Sequence, residues 1–316
     1  FVDSSWYYLR FCSPHDDQAP FDRTAVRYWC PLDLYVGGAE HAVMHLLYFR
    51  FFTKVLADAG LVEFREPAPR LLNQGTMHAP DGKRMSKSKH NVITPDSVAE
   101  QFGADTLRGY IVFMSPYTGD AQWDPQGING IHRWLGRVWD LCQKPARKSA
   151  DREPQAEELK RWVHKTIKRV TADMESLEFN TAVSALMELT NALQRLRPAL
   201  EGSEAWGWGV RSLLTLVAPI APHITEELWH SLGHQRSIHL ESWPTYDDAL
   251  TLDEVVTVVI QVNGKLRDRL EVPRGTEMQS VQEQALASKR VQPYVEGNQI
   301  VKVITVPDKL VNIVVR

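Results

Sequence analysis

What this chain has little of narrows the field first. No run approaches the roughly 20 apolar residues needed to cross a bilayer, so no membrane-spanning helix is expected. Cysteine is scarce: Cys12, Cys30 and Cys142 are odd in number, far apart and form no C-x-x-C pair. Neither a disulfide framework nor a cysteine zinc site is indicated, and a reduced, cytoplasmic setting is the simple expectation. Net charge is small as well, −3 at pH 7. Bulk charge therefore neither demands nor excludes nucleic acid, and any RNA contact must rest on local basic patches. Repeats and low-complexity tracts are absent, and no signal peptide is expected. The chain opens on Phe1-Val2-Asp3 rather than on Met, which suggests a fragment, a processed product or one subunit of a split enzyme.

What is present reads as a multidomain protein. A length of 316 residues with 43% hydrophobic and 24% charged residues suits two or three globular domains. Residues 1–125 mix short apolar runs with Gly and Pro. Leu34-Tyr35-Val36 runs into Gly37-Gly38, and Ala42 to Leu56 reads as a buried helix. Leu71-Leu72 before Gln74-Gly75 reads as a further strand, so this part is α/β. Lys144 to Pro154 is polar and reads as a connection. Residues 126–245 carry helical stripes: Leu159, Val163, Ile167, Val170 and Met174, then Ala182, Leu186, Leu189, Leu193 and Leu196. Asn180 or Thr181 is the expected cap of the second helix and Pro198 its end. Leu213 to Leu232, with Pro219 and Pro222, predicts a kinked or restarted third helix. An antiparallel bundle follows from these. In residues 252–316 the period becomes two. Val256, Val258, Ile260 and Val262 lead into Asn263-Gly264, a hairpin signal, and a helix over Met278 to Ser288 precedes strands at 300–306 and 310–315. This is a small α+β domain.

The stretch that carries chemistry is Lys83-Arg84-Met85-Ser86-Lys87-Ser88-Lys89-His90-Asn91. Cations and hydroxyls on a Gly-preceded loop suit a clamp on polyphosphate oxygens; an arbitrary basic run is more often a solvated loop. The order of residue types here resembles the KMSKS loop of class I aminoacyl-tRNA synthetases, with Arg84 in place of the usual first lysine. The resemblance implies catalytic roles for Lys87, Lys89 and Ser86, and places Met85 on the adenylate side.

Upstream lies Tyr35-Val36-Gly37-Gly38-Ala39-Glu40-His41-Ala42-Val43-Met44-His45. Two glycines at a helix start admit close backbone approach and an anionic group, and His41 and His45 share a helix face at a spacing of four. A zincin would place Glu after its first His, whereas Glu40 precedes His41, and no protein-bound metal is expected. The string GGAEHAVMHLLYFRFF resembles the leucine branch of the class I synthetases. That implies an adenylate pocket with Gly37, Gly38, Glu40, His41 and His45, joined by Gln74 and Gly75. The opening Phe1-Val2-Asp3-Ser4-Ser5-Trp6-Tyr7-Tyr8, by itself an aromatic strand end, resembles the segment of that branch where Phe1, Ser4 and Tyr7, with His41, border the leucine side chain. The family has Met-Val after the glycine of its clamp strand, and Thr76-Met77-His78 departs from this.

Asp105-Thr106-Leu107-Arg108, Trp123 and Ala218-Pro219-Ile220-Ala221-Pro222-His223-Ile224 resemble structural segments of the same family. Gln261-Val262-Asn263-Gly264-Lys265-Leu266-Arg267-Asp268-Arg269 and the ending Lys309-Leu310-Val311-Asn312 resemble its bacterial-type C-terminal domain. Lys265, Arg267, Arg269 and Arg274 are the expected tRNA phosphate contacts. The sequence holds no HIGH-type motif, no editing domain and no leucine-specific insertion before the clamp. The expectation is thus the second half of a Rossmann-like class I catalytic domain, a helical anticodon-binding-type bundle and a small tRNA-contacting α+β domain. ATP with Mg²⁺ would be the substrate, leucine and its tRNA the partners, and a separate N-terminal half a further partner. The alternative is a non-enzymatic RNA-binding fragment or paralogue.

Overall fold

The computed structural model describes residues 1–143, 153–252 and 255–316. The chain divides into two compact units, Phe1–Leu159 with Thr166–Pro244, and Thr245–Arg316 with Lys160–Lys165.

The first unit starts with helix α1 (Val2–Phe11) and helix α2 (Arg23–Trp29). The expected strand end at Phe1 is therefore a helix. Ser5, Tyr8 and Leu9 are its buried residues, a spacing of three and four that only a helix face satisfies. Strand β1 (Tyr35–Gly38) runs into a 3-10 turn, Ala39–Val43, and then helix α3 (His45–Asp58). The glycines thus end a strand instead of opening an α-helix. Met44, at φ −129° and ψ −98°, breaks the helix between His41 and His45. Nor is this segment buried throughout: Phe49 and Thr53 are the buried residues of α3, while Val43, Met44, Leu47 and Phe51 are exposed. One stripe packs on α1, where Tyr8 Oη meets Thr53 Oγ1 at 2.9 Å.

Strand β2 (Leu71–Gln74) pairs in parallel with β1, Gly38 opposite Gln74. Strand β3 (Met77–His78), helices α4 (Pro95–Phe102) and α5 (Ala104–Phe113), and strand β4 (Ala121–Gln122) follow; β3 and β4 are also parallel. Helical crossovers between parallel strands are the α/β pattern the punctuation predicted.

Helix α6 (Ile128–Gln143), α7 (Glu153–Glu175), α8 (Phe179–Leu200), α9 (Glu204–Val217) and α10 (Pro222–Ser231) form the bundle. The stripes are its core: Leu159, Val163, Ile167 and Val170, and Leu186, Leu189 and Leu193, are all fully buried. Trp134, also fully buried, donates from Nε1 to Thr190 Oγ1 at 2.9 Å.

Three local expectations are corrected. Helix α8 begins at Phe179 after Glu178, with no side-chain cap; the Thr181 hydroxyl donates back to Glu178 O at 2.8 Å, inside the first turn. Pro198 does not end α8, because it forfeits only its own amide bond and Glu201 N–H still reaches Arg197 O at 2.9 Å. Pro154 lies in the first turn of α7, where a missing N–H is tolerated; the rest of the expected connection, 144–152, lies outside the described residues. Between α9 and α10 the chain restarts at Pro222, the first residue of α10.

The second unit is a four-stranded sheet of order β6-β5-β8-β7, made of β5 (Val255–Val262), β6 (Lys265–Pro273), β7 (Ile300–Val306) and β8 (Leu310–Val315). Helices α11 (Met278–Ala287) and α12 (Gln292–Val295) separate its second and third strands in sequence. Asn263 and Gly264 both have positive φ, 50° and 77°, the tight turn that Asn-Gly favours. Val256, Val258, Ile260 and Val262 form the core with Val281, Ala285, Val311 and Ile313.

Candidate active site

Parallel strands collect loops at their carboxyl ends, where α/β folds place ligands. Here β1 and β2 end together, setting Gly37-Gly38 beside Asn73-Gln74. Gly75 is forced: an added Cβ would overlap the Gly119 carbonyl oxygen. Its N–H donates to Tyr117 O at 3.0 Å. A cavity of about 340 Å³ lined by Val36, Gln74, Gly75, Met77 and Tyr117 opens here.

Below the strand ends lies a polar aromatic cluster. The Tyr35 hydroxyl stands 3.0 Å from the Tyr7 hydroxyl and 2.6 Å from His45 Nε2. Its ring stacks on Phe49, with centroids 4.7 Å apart. The His41 and His45 rings meet edge to face at 6.0 Å, so they converge despite the break between them. Burial, and then the nearby His41, hold His45 below the usual imidazole range. Burial, then the Tyr7 hydrogen bond, push Tyr35 upward. Tyr7, Tyr35 and His45 thus form one chain of hydrogen-bonding contacts, in which both hydroxyls have a partner. Phe1, just before α1, and Ser4, on α1, are exposed, with Phe1 stacked on Tyr48 at 4.8 Å.

The clamp grows from a small hairpin. His78 bridges to Arg84, Ala79 N–H donates to Lys83 O at 2.8 Å, and Gly82 turns the chain at φ 74°. The Ser86 N–H donates to Asn91 Oδ1 at 2.8 Å and Asn91 Nδ2 donates to Arg84 O at 3.3 Å. One side chain thus closes the loop. Lys87–Lys89 form a 3-10 turn ended by His90 at φ 52°. Lys87 and Lys89 are exposed, and neither has a carboxylate partner among the described residues. Ser86 Oγ and Ser88 Oγ are 2.8 Å apart, and Met85 is half-buried beneath them. Arg84 Nη2 meets Glu40 Oε1 at 2.9 Å, joining the clamp to the segment after β1. The Glu40 carboxyl lies below its usual range, chiefly through its own backbone N–H and further through Arg84. No cluster of three or more potential metal ligands occurs among the described residues.

The clamp, Gln74-Gly75 and Gly37 to His45 are therefore brought together. Tyr35, Asn91 and the Glu40–Arg84 link were missed; Tyr35 stood two residues before the glycines, but its contact depends on Tyr7 arriving from α1.

Residues 105–108 and 218–224 meet as well. Asp105 Oδ2 accepts from Ile224 N–H at 2.7 Å and Oδ1 lies 2.7 Å from His223 Nδ1. Arg108 donates to Ile220 O at 3.0 Å and Pro219 O at 2.9 Å. The acid caps α10, the arginine satisfies carbonyls past α9, and His223 has a structural partner.

The four basic residues of the second unit do not share one face. β6 carries a bulge at Arg267, since Asp268 pairs Ile260 while Leu266 pairs Gln261. Arg267 turns over the Tyr294 ring, 3.7 Å from its centroid. Arg269, opposite Val259, lies on the sheet face away from the core. Lys265 sits at the hairpin, and Arg274, at the far end, approaches Asp308 at 3.7 Å.

Two family models match the chain: "tRNA synthetases class I (I, L, M and V)" over residues 12–124 and "Anticodon-binding domain of tRNA ligase" over 158–283. Over these spans the chain is similar to class I aminoacyl-tRNA synthetases. Within that family its whole length is similar to leucine--tRNA ligases, at 50% identity to that of Dehalococcoides mccartyi and 48% to that of Rubrobacter xylanophilus. It spans 39% and 38% of those relatives. Among solved structures, the leucyl enzyme of Agrobacterium radiobacter K84, in a ternary complex with tRNA and LeuAMS, superposes with a TM-score of 0.80. Identity there is 34%, over 100% of this chain and 41% of that one. A Mycobacterium tuberculosis methionyl-tRNA synthetase, at 19% identity and a TM-score of 0.53 over 73% of this chain and 52% of its own, shares the fold.

Proposed function

We propose that this chain is the clamp-bearing portion of a leucine--tRNA ligase, in which ATP activates leucine to leucyl-adenylate before transfer to tRNA. The observation that carries the reading is the open lysine clamp beside the carboxyl ends of β1 and β2. Leucine carboxylate attacks the α-phosphate in line, and charge develops on the departing pyrophosphate. Lys87 and Lys89, without carboxylate partners among the described residues, and the Ser86 hydroxyl can meet that charge. Mg²⁺ would come with ATP, held by its phosphates in the absence of a protein ligand cluster among the described residues, and would screen their charge. The adenylate lies along Gly37, Gly38 and Gln74, with leucine against Tyr7, His41 and His45. This chemistry belongs to the cytoplasm, and it is completed by a further α/β layer from the rest of the enzyme. The exposed Val36, Val43, Leu47 and Phe51 suit burial by such a layer.

RNA binding by the bundle and the second unit is part of the same reading, with Lys265 and Arg269 as phosphate contacts and a steep fall with salt. The test is leucine-dependent pyrophosphate exchange into ATP, measured on this chain joined to the remaining portion of a leucine enzyme. Exchange that follows leucine supports the reading; equal exchange with isoleucine or methionine, or none, overturns it.

A further inference from the structure

Two of the three cysteines, 18 residues apart in sequence, meet in space. Cys12 Sγ lies 3.8 Å from Cys30 Sγ. Cys12 caps the C-terminal end of α1, its N–H on Arg10 O and Leu9 O. Cys30 follows α2, its N–H on Val26 O at 2.9 Å. Both positions are therefore fixed by helix-end hydrogen bonds. Cys30 is buried in the core of Tyr8, Leu9, Phe21, Val26 and Phe49, with Cys12 packed half-buried against it. A hollow of about 200 Å³ lined by Cys30, Val26 and Arg23 gives a small molecule a second approach.

We propose that Cys12 and Cys30 form a modification site: a dithiol that closes to a disulfide with a small-molecule disulfide of the glutathione class as oxidant. Cys12, the more exposed, loses its proton to water and attacks one sulfur of the reagent. A bond forms to Cys12 Sγ, and one small thiolate leaves and takes up a proton. Cys30 then gives its proton to solvent and attacks Cys12 Sγ, and the second small thiol departs. Two protein thiols are oxidised and one small disulfide is reduced to two thiols, so the balance closes. Burial pushes the Cys30 thiol up to about 12, which makes it a poor nucleophile toward free reagent. Held 3.8 Å from its target, it reacts intramolecularly instead, where orientation replaces concentration. The sulfurs need close only to about 2.05 Å.

The bond would tie the end of α1 to the segment entering β1, that is, the two elements that bring Tyr7 and Tyr35 to 3.0 Å. That consequence for leucine recognition rests on the proposed function; the thiol chemistry does not.

The experiment incubates the full chain with oxidised glutathione and counts thiols after denaturation. Titratable thiols should fall from three to one, with Cys142 remaining, and dithiothreitol should restore three. Peptide mapping should find Cys12 joined to Cys30, and Cys12→Ser or Cys30→Ser should abolish that peptide. Three thiols remaining, a stable glutathione adduct on Cys12 in the unsubstituted chain, or loss of Cys142 first would each overturn the proposal. Mapping on the unsubstituted chain needs neither variant to fold.

Discussion

Asp105→Ala should destabilise the helical unit by about 2–3 kcal/mol. The Asp105 side chain is 10% exposed and both its oxygens are engaged, Oδ2 by the Ile224 N–H and Oδ1 by His223, each at 2.7 Å. The Ile224 amide lies in the first turn of α10, so its loss is the loss of an N-cap, typically about 1–2 kcal/mol. Leaving that donor unpaired in a half-buried place adds to the cost. The His223 side chain is 73% exposed, so its contribution is screened and adds under about 1 kcal/mol. Asp105→Asn keeps an acceptor for Ile224 and should lose only about 1 kcal/mol. The assay is denaturant unfolding followed by helical circular dichroism on the parent and both variants. A midpoint for Asp105→Ala within about 0.5 kcal/mol of the parent, the range of ordinary surface changes, would refute the capping role. Equal losses for Ala and Asn would assign the effect to charge instead.

In the complete enzyme, Lys87→Ala should slow adenylate formation about 10²–10³-fold with little change in leucine binding, as for removal of one electrostatic donor. Arg84→Lys keeps the charge facing Glu40 and should be mild; stopped-flow rates that stay near normal for both variants would remove the clamp assignment. Gly75→Ala should cost about 1–3 kcal/mol through overlap with the Gly119 carbonyl, and a thermal midpoint equal to the parent's would contradict it. His45 has a folded pKa below its unfolded value of about 6.5. Its contribution is fully present above pH 6.5 and is lost as pH falls toward the folded value. Unfolding midpoints measured from pH 7.5 to 5 should decline less steeply in His45→Asn than in the parent; identical slopes would sink this point.

Much of the architecture was legible because its signals are local. The stripes of α7 and α8 are a periodicity that any helix must bury, and Asn263-Gly264 encodes its turn in two residues. The loop proposed as the clamp is local in the same way, since Ser86, Lys87 and Lys89 fall within four consecutive residues. Local signals failed where two segments compete for one stretch. Phe1 to Tyr8 reads as an aromatic strand end, but the packing of Tyr8 against Thr53 and Phe49 selects the helix. Gly38 to His45 reads as one helix start, but the chain must pass from the end of β1 into α3, and Met44 absorbs that turn. Pro198 carries a stop signal, which matters less when the helix has only one turn left to run.

The sequence by itself therefore determined the core stripes of α7 and α8 and the Asn263-Gly264 turn, because each depends on spacings of a few residues. Tertiary structure alone decided which distant groups meet: Tyr7 with Tyr35 and His45, Glu40 with Arg84, Asp105 with the start of α10, Cys12 with Cys30. It also decided that a bulge turns Arg267 onto Tyr294 and parts it from Arg269. The physical reason is common to all five. A hydrogen bond, ion pair or thiol contact is fixed by distances of 2.6–3.8 Å between residues up to 119 positions apart, and no local period records such a distance.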